Sequence, residues 1–470
     1  MPLLLLLIIL FSGSLAQGKE PGGFQTHSLD GLWLSDGYAL LIEIEGDRLH
    51  TYQVTTLSCL PSWSATRRPR KLSDRETLYA ANGRTIRFPD HEVTGTKRMR
   101  VDGTASDILL HRIGQRPKSC GREAVNTPQN NYAIFWETFR ENYPFFGLHN
   151  IDWSAVDRRF RPQVGSGTKP EELFAIFRQM IEPLRDAHTG IEAPDIKVFF
   201  DGWRSDPNHL QDEDWKKASE LIDSKYVQGG LRSFCNGRLQ YGMLKGSIGY
   251  LRITTFYDYA VTEGYVNALT ALQSALDKIF QDADKLSALV IDVRLNKGGD
   301  DPLGIEIASR LTRKKYLAYS KVARNDQGTA VHFTLPQDTW VVPSLWLGFY
   351  GNVVILTGPD TVSAGETFTM ALMGRNPSVT RIGLNTQGVF SDVLNRTLPN
   401  GWSFRLPNEV YLSKQGNSFD GTGVPPHIRM PFLSHNDMRN GRDSALEEAL
   451  KFLSHSGRQS GARRPVPMAH

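Results

Sequence analysis

Cysteine is scarce in this chain. Its 470 residues contain only Cys59, Cys120 and Cys235, too few for the disulfide framework that holds small secreted scaffolds together. None has metal-ligand spacing, and no cofactor motif accompanies them, so neither a metal nor a cofactor is expected. An excess of one charge is also missing: 54 Lys and Arg against 50 Asp and Glu leave a net charge of +4. No dense basic stripe carries interleaved aromatics, which argues against a nucleic-acid partner. Beyond the N-terminus no apolar run is long enough to cross a bilayer, so no membrane span is expected in the mature chain.

The exception is the N-terminus itself. Pro2 to Phe11 is almost wholly apolar, and Ser14-Leu15-Ala16 places small residues where a signal peptidase reads. Residues 1–16 are therefore expected to be a signal peptide, and the protein to be secreted or extracytoplasmic. In that setting Cys59 and Cys120 are the candidate disulfide, stapling the ends of one N-terminal module, with Cys235 left over. Asn395-Arg396-Thr397 is a candidate glycosylation sequon at Asn395.

The length allows two or three domains. Residues 28–115 read as a small all-β module, a barrel or sandwich of short alternating runs such as Tyr38 to Ile44 and Leu49 to Val54, punctuated by Gly, Asp and Asn. The period then turns helical over 126–195, a helical subdomain with candidates at Tyr132 to Tyr143, Asp152 to Arg161 and Pro170 to Leu184. Residues 196–240 are mixed and charged, and read as a variable connecting segment. From 241 to 435 strands alternate with helices, the pattern of an α/β domain. Ala288-Leu289-Val290-Ile291-Asp292-Val293-Arg294 is near-continuously apolar, as buried parallel strands are. A closing helix (436–455) and a basic, disordered tail (456–470) complete the chain.

One stretch of the α/β domain carries chemistry. Val353-Val354-Ile355-Leu356 is a buried strand that breaks at Gly358-Pro359-Asp360, and a helical period starts at Ser363. A serine at a strand-to-helix junction presents its hydroxyl beside the free N–H groups of a new helix, where an oxyanion would be stabilised. Ser363-Ala364-Gly365-Glu366 is equally a capping box, in which Glu366 reaches back to the start of the helix.

Seven segments, in order, favour the catalytic reading. They are Phe135-Trp136-Glu137-Thr138-Phe139 with Asp152-Trp153; Leu184-Arg185-Asp186-Ala187-His188-Thr189; Ile248-Gly249-Tyr250-Leu251; Ile291 through Gly299; Thr361 through Glu366; Leu398-Pro399-Asn400-Gly401-Trp402; and Asp420-Gly421-Thr422-Gly423-Val424-Pro425-Pro426-His427-Ile428. Together they resemble the tail-specific (C-terminal processing) serine protease superfamily, in the branch of the tricorn-protease core and the repeats of interphotoreceptor retinoid-binding protein. The resemblance covers roughly residues 130–455 and leaves the β module outside. It implies an α/β catalytic domain of the crotonase/Clp-protease type, built from β-β-α repeats. It also implies Ser363 as nucleophile, His188 as base, and an oxyanion hole from the N–H of Ala364 and one from the Gly298-Gly299 turn. Asp420 falls where the tricorn-like branch usually has Glu.

The chain departs from that pattern in three places. The Ser–Lys branch has lysine in a Thr-x-Gly-Lys pattern, and here the segment reads Asn385-Thr386-Gln387-Gly388-Val389. Ala187 replaces the serine that precedes the histidine in the tricorn core. No segment between His188 and Ile248 looks like a peptide-clamping PDZ domain. A serine hydroxyl needs a base, and the base needs a third group to fix its tautomer. Ser363, His188 and Asp420 can fill those roles. The expected function is thus a secreted serine peptidase acting on peptides or unfolded segments. The alternative is a catalytically silent binder of an apolar ligand such as a retinoid or lipid.

Overall fold

The structure, a computed structural model, describes residues 29–69, 75–81, 83–90, 95–203, 212–325, 332–431 and 434–460. The signal peptide expected at 1–16 lies outside them. Eight antiparallel strands come first: β1 (Gly31–Ser35), β2 (Leu40–Glu45), β3 (Arg48–Val54), β4 (Cys59–Arg67), β5 (Glu76–Ala81), β6 (Arg84–Pro89), β7 (Thr96–Val101) and β8 (Ile108–Ile113). β1 pairs with both β2 and β8, which closes the sheet into a barrel and leaves no open edge. Alternation along the strands sends Trp33, Ile42, Ile44, Leu49, Tyr79, Ile86, Phe88, Met99 and Leu110 into one buried cluster. A disulfide joins Cys59 at the start of β4 to Cys120 beyond the barrel, while Cys235 is free and buried.

Three helices follow, α1 (Pro128–Asn142), α2 (Trp153–Phe160) and α3 (Pro170–Ile181). Thr127 caps α1 by accepting the Asn130 N–H, and Pro128 occupies the first turn, where its missing donor costs nothing. The helices pack through aromatics, with Phe135 stacked on Phe177 at 4.2 Å. They cover a four-stranded sheet of order β10-β9-β20-β19, made from β9 (Gly190–Ala193), β10 (Val198–Phe200), β19 (Val393–Thr397) and β20 (Ser403–Pro407). Residues 126–195, read from sequence as helical, therefore end in a strand.

The second body is a seven-stranded sheet, order β11-β12-β13-β14-β17-β18-β22. Its strands are β11 (Gln228–Phe234), β12 (Leu239–Leu244), β13 (Ile248–Ile253), β14 (Ala288–Asp292), β17 (Asn352–Thr357), β18 (Thr380–Gly383) and β22 (Ile428–Arg429). From β13 onward the pairing is parallel. The period of two sorts the side chains by face. Leu289, Ile291, Val353 and Ile355 meet α5 (Tyr265–Phe280), α6 (Asp301–Ser309) and α7 (Ala364–Ala371) on one face. Val290, Val354 and Leu356 meet α4 (Asp212–Lys225) and α9 (Ser444–Ser460) on the other. Covering both faces is what makes 288–291 of β14 and 353–356 of β17 continuously apolar, each fully buried large side chain contributing about 1.5–3 kcal/mol.

Two boundaries differ from the sequence reading. The segment 196–240 is not merely a connection, since β11 is the outer strand of the main sheet and α4 packs on its face. The closing helix α9 follows a short α8 (His435–Arg439) and runs to Ser460, five residues into the stretch read as a tail. Residues 461–470 lie outside the described ones. A three-stranded sheet of β15 (Tyr316–Ala323), β16 (Gln337–Val341) and β21 (Glu409–Leu412) completes the fold. It meets the barrel where the Tyr38 hydroxyl donates to Glu409 Oε1 at 2.7 Å.

Candidate active site

In parallel sheets, sites form beyond the carboxyl ends of the strands, and two loops meet there. The loop after β17 is tied down by Thr361 Oγ1, which donates to the Val293 carbonyl at 2.8 Å, and by Val362 N–H, which donates to the Asn296 carbonyl at 3.0 Å. Ser363 follows with φ 55° and ψ −120°, a left-handed conformation that costs a non-glycine residue about 1–3 kcal/mol. α7 starts at the next residue. The Ser363 side chain makes no cap hydrogen bond, so its hydroxyl is not consumed by the helix start.

The loop after β14 approaches from the other side. A Cβ on Gly298 would stand 2.8 Å from Ser363 Cβ and 3.3 Å from its Oγ, so only glycine lets the turn come this close. Asn296 builds the turn: fully buried, it accepts the Gly298 N–H on Oδ1 at 3.0 Å and donates from Nδ2 to the Ile253 carbonyl at 3.1 Å. The Gly298 N–H is thus committed to a side chain.

Glu366, expected as a cap partner, does more than cap. Its carboxylate accepts the N–H of Ser363 (3.2 Å), Gly388 (2.6 Å) and Val389 (2.8 Å). It therefore clamps the segment after β18 onto the start of α7, while Ser363 N–H also donates to the Val389 carbonyl at 3.1 Å. Complete burial pushes the Glu366 carboxyl up to about 7 despite these donors.

Asp420 stands across the same segment. Gly421 N–H donates to the Gly388 carbonyl at 2.8 Å, and the Asp420 carboxylate accepts the Ser418 hydroxyl at 2.7 Å and the Phe390 N–H. Burial first, then the nearby Glu366 and Asp186, push Asp420 up to about 8. His188 lies half-buried in the turn between α3 and β9. Its backbone N–H donates to Asp186 Oδ1 at 2.8 Å, and Tyr143 donates to Asp186 Oδ2 at 3.0 Å. Burial pushes the Asp186 carboxyl up to about 6. Gly202 closes over this turn, where a Cβ would lie within 2.8 Å of the carbonyls of Asp186, Ala187 and Thr189.

Asp186, Gly388, Val389, Phe390 and Asp420 line one cavity of about 300 Å³, with Phe145, Leu148 and Trp203 as its apolar wall. Asp186, Glu366 and Asn296 received no functional role from sequence. Asp186 adjoins the histidine and was legible in that sense, but nothing local announces the reach of Glu366 to Gly388. Lys297, in the turn before Gly298, places its Nζ 3.7 Å from Asp360 Oδ1. Asn395 is exposed on β19.

Residues 247–430, which contain Ser363, the Gly298-Gly299 turn, Glu366 and Asp420, match the model of peptidase family S41. This stretch is a peptidase family S41 domain. Residues 125–182, spanning α1 to α3, match the tricorn protease C1 domain. The carboxy-terminal-processing protease of Bartonella bacilliformis is 25% identical over 231 residues, 48% of this chain and 49% of that one. The chain thus spans about half the length of that relative. A candidate peptidase from Parabacteroides merdae, 25% identical, shares the fold at a TM-score of 0.59 over 70% of this chain and 97% of its own. A mutant CPAF chain, only 12% identical, shares the fold alone at a TM-score of 0.51, over 73% of this chain and 99% of its own. The S41 domain is joined here to the N-terminal β-barrel. Among the described residues, no helix is long and apolar enough to cross a membrane.

Proposed function

We propose that this protein is an exported serine peptidase that cleaves peptides or unfolded segments, with Ser363 as nucleophile, His188 as general base and Asp420 as the acid that orients it. The observation that carries the reading is the backbone of Ser363: a positive φ at the first turn of α7, with Gly298 packed against its Cβ. Such strain persists where the surroundings over-determine it, and here it holds a serine at the residue from which α7 starts.

In this mechanism Ser363 Oγ attacks the scissile carbonyl carbon as His188 takes its proton. The proton then passes to the leaving amine, and water hydrolyses the acyl-enzyme by the same route. Developing charge on the carbonyl oxygen would be met by the N–H groups of Ala364 and Gly299. Gly298 is needed for close approach rather than for its N–H, which Asn296 holds. The cavity beside Asp420 would seat a substrate side chain against Phe145, Leu148 and Trp203. Val389 occupies the position where the Ser–Lys branch has its lysine, and its carbonyl accepts the Ser363 N–H, so no amine is supplied from that position. We read the sheet and its helices as the β-β-α repeats of the crotonase/Clp type.

A fluorophosphonate probe tests the reading. Wild type should label, and Ser363→Ala should not, while losing at most about 1 kcal/mol of stability because no cap bond is lost. Undiminished labelling of folded Ser363→Ala would reject Ser363 as nucleophile.

A further inference from the structure

The connection from β16 to β17 exposes an apolar turn that has no role in the proposed peptidase. Leu345 is 100% exposed and Trp346 64%, and Val342, Leu347 and Trp340 are also exposed. Contiguous display of large apolar side chains marks an interaction surface. The turn is held in place. Ser344 N–H donates to the Ser309 carbonyl (3.1 Å), Phe349 N–H to the Arg310 carbonyl (2.9 Å), and buried Arg310 donates from Nη1 to the Leu347 carbonyl (2.9 Å).

Those anchors set the turn against the chain that follows α6, where Arg313, Lys314 and Lys315 are exposed in succession. Lys315 Nζ lies 4.7 Å from the Trp340 ring centroid and Arg313 Cζ 4.5 Å from that of Tyr350. Residues 339–351 contain no acidic residue. The carboxylates of Asp277 and Glu306 are engaged by Arg310, at 2.7 and 3.2 Å. The surface is therefore apolar at its tip and basic at its rim.

We propose that this surface docks on an anionic lipid bilayer, with Leu345, Trp346 and Leu347 entering the boundary between headgroups and acyl chains. Arg313, Lys314 and Lys315 would then lie at the lipid phosphates. Tryptophan favours that boundary, and basic residues beside an apolar tip are what holds a peripheral protein on an anionic surface. A second copy fits less well, because a two-fold contact through the tip would bring two basic runs together.

The test uses the chain with its native cysteines, phosphatidylcholine vesicles with and without phosphatidylserine, and two triple variants. Wild type should sediment with the anionic vesicles, less so at high salt, with a blue shift of tryptophan emission. Arg313→Gln/Lys314→Gln/Lys315→Gln should weaken binding on the order of a hundredfold. Leu345→Ser/Trp346→Ser/Leu347→Ser should abolish binding and shift, while both variants keep the wild-type melting profile. Equal binding by both folded variants, or none by wild type, overturns the proposal. Concentration-dependent association of wild type that the apolar variant loses, without vesicle binding, assigns the surface to a second copy. Full displacement by soluble glycerophosphoserine would reduce it to a headgroup pocket.

Discussion

Asp292, at the end of β14, and Asp420, across the cavity from His188's turn, are both buried, yet their carboxyls shift in opposite directions. Asp292 is held below the ordinary carboxylate range although burial alone would raise it, because Arg294 donates to it at 2.6 Å. Arg294 also reaches Asp443 at 2.7 Å, so one buried guanidinium joins the sheet to the start of α9. Asp420 has only neutral donors and two carboxyls nearby, and burial pushes it up to about 8. The two differ in their partners: the buried guanidinium of Arg294 outweighs desolvation at Asp292, and nothing comparable offsets it at Asp420. The first arrangement fastens the fold. The second gathers three acids with raised carboxyls, Asp186, Glu366 and Asp420, around one segment, a clustering more frequent at functional sites than elsewhere.

The largest way to break the contrast is to remove the cation. Arg294→Ala leaves two buried carboxylates unpaired and should destabilise the protein by about 3–5 kcal/mol, measured by urea unfolding. A loss below about 1 kcal/mol would mean that the triad is open to water. Next in size, His188→Ala should slow acylation on the order of 10²–10⁴-fold with the melting temperature nearly unchanged. Wild-type turnover in that variant would move the base elsewhere. Asp420→Asn should slow acylation by less than His188→Ala if it acts on the base indirectly, and comparably if directly. Its stability should stay level or rise, because an amide has no charge to desolvate. A marked loss of stability would place Asp420 with Asp292, as an acid that fastens the fold.

How much of this was legible follows from the range of the forces. β14 and β17 were readable because both faces are buried, which writes continuous apolar runs into the sequence. Ser363 was readable because a strand break and a helix start are local events. β11 was not: Gly229 and Gly230 both take positive φ, and the strand is an exposed edge whose pairing with β12 leaves no apolar alternation. Of the site, Asp420 was reached through resemblance and Glu366 only as a cap. The clamp from Glu366 to Gly388 spans 22 residues, and the raised carboxyls depend on burial, which local sequence does not record. The exposed tip at Leu345 received no assignment from sequence, since an apolar run does not itself say whether the fold will cover it.

The pH dependence of stability discriminates best. Asp186, Glu366 and Asp420 are raised to about 6, 7 and 8 in the folded protein, against about 4 for carboxyls in the unfolded chain. Between those values the native state holds protons that the unfolded state has released, so stability falls as pH rises through the window. Asp292 runs the other way: its contribution is present above the unfolded value and is lost only in acid. Glu141, Asp301 and Asp392 are also raised, to about 7, 6 and 7, so the wild-type slope alone assigns nothing. The difference between wild type and Asp420→Asn does, because the groups remote from Asp420 cancel and only Glu366 and Asp186, which act on its carboxyl, change with it. The variant should lose less stability than wild type between about pH 5 and pH 8. Acylation by the variant should also lack the rise towards pH 8 that ionisation of Asp420 gives the wild type. Parallel melting curves and parallel rate profiles would show that Asp420 ionises like Asp292, and the contrast between the two aspartates would fall.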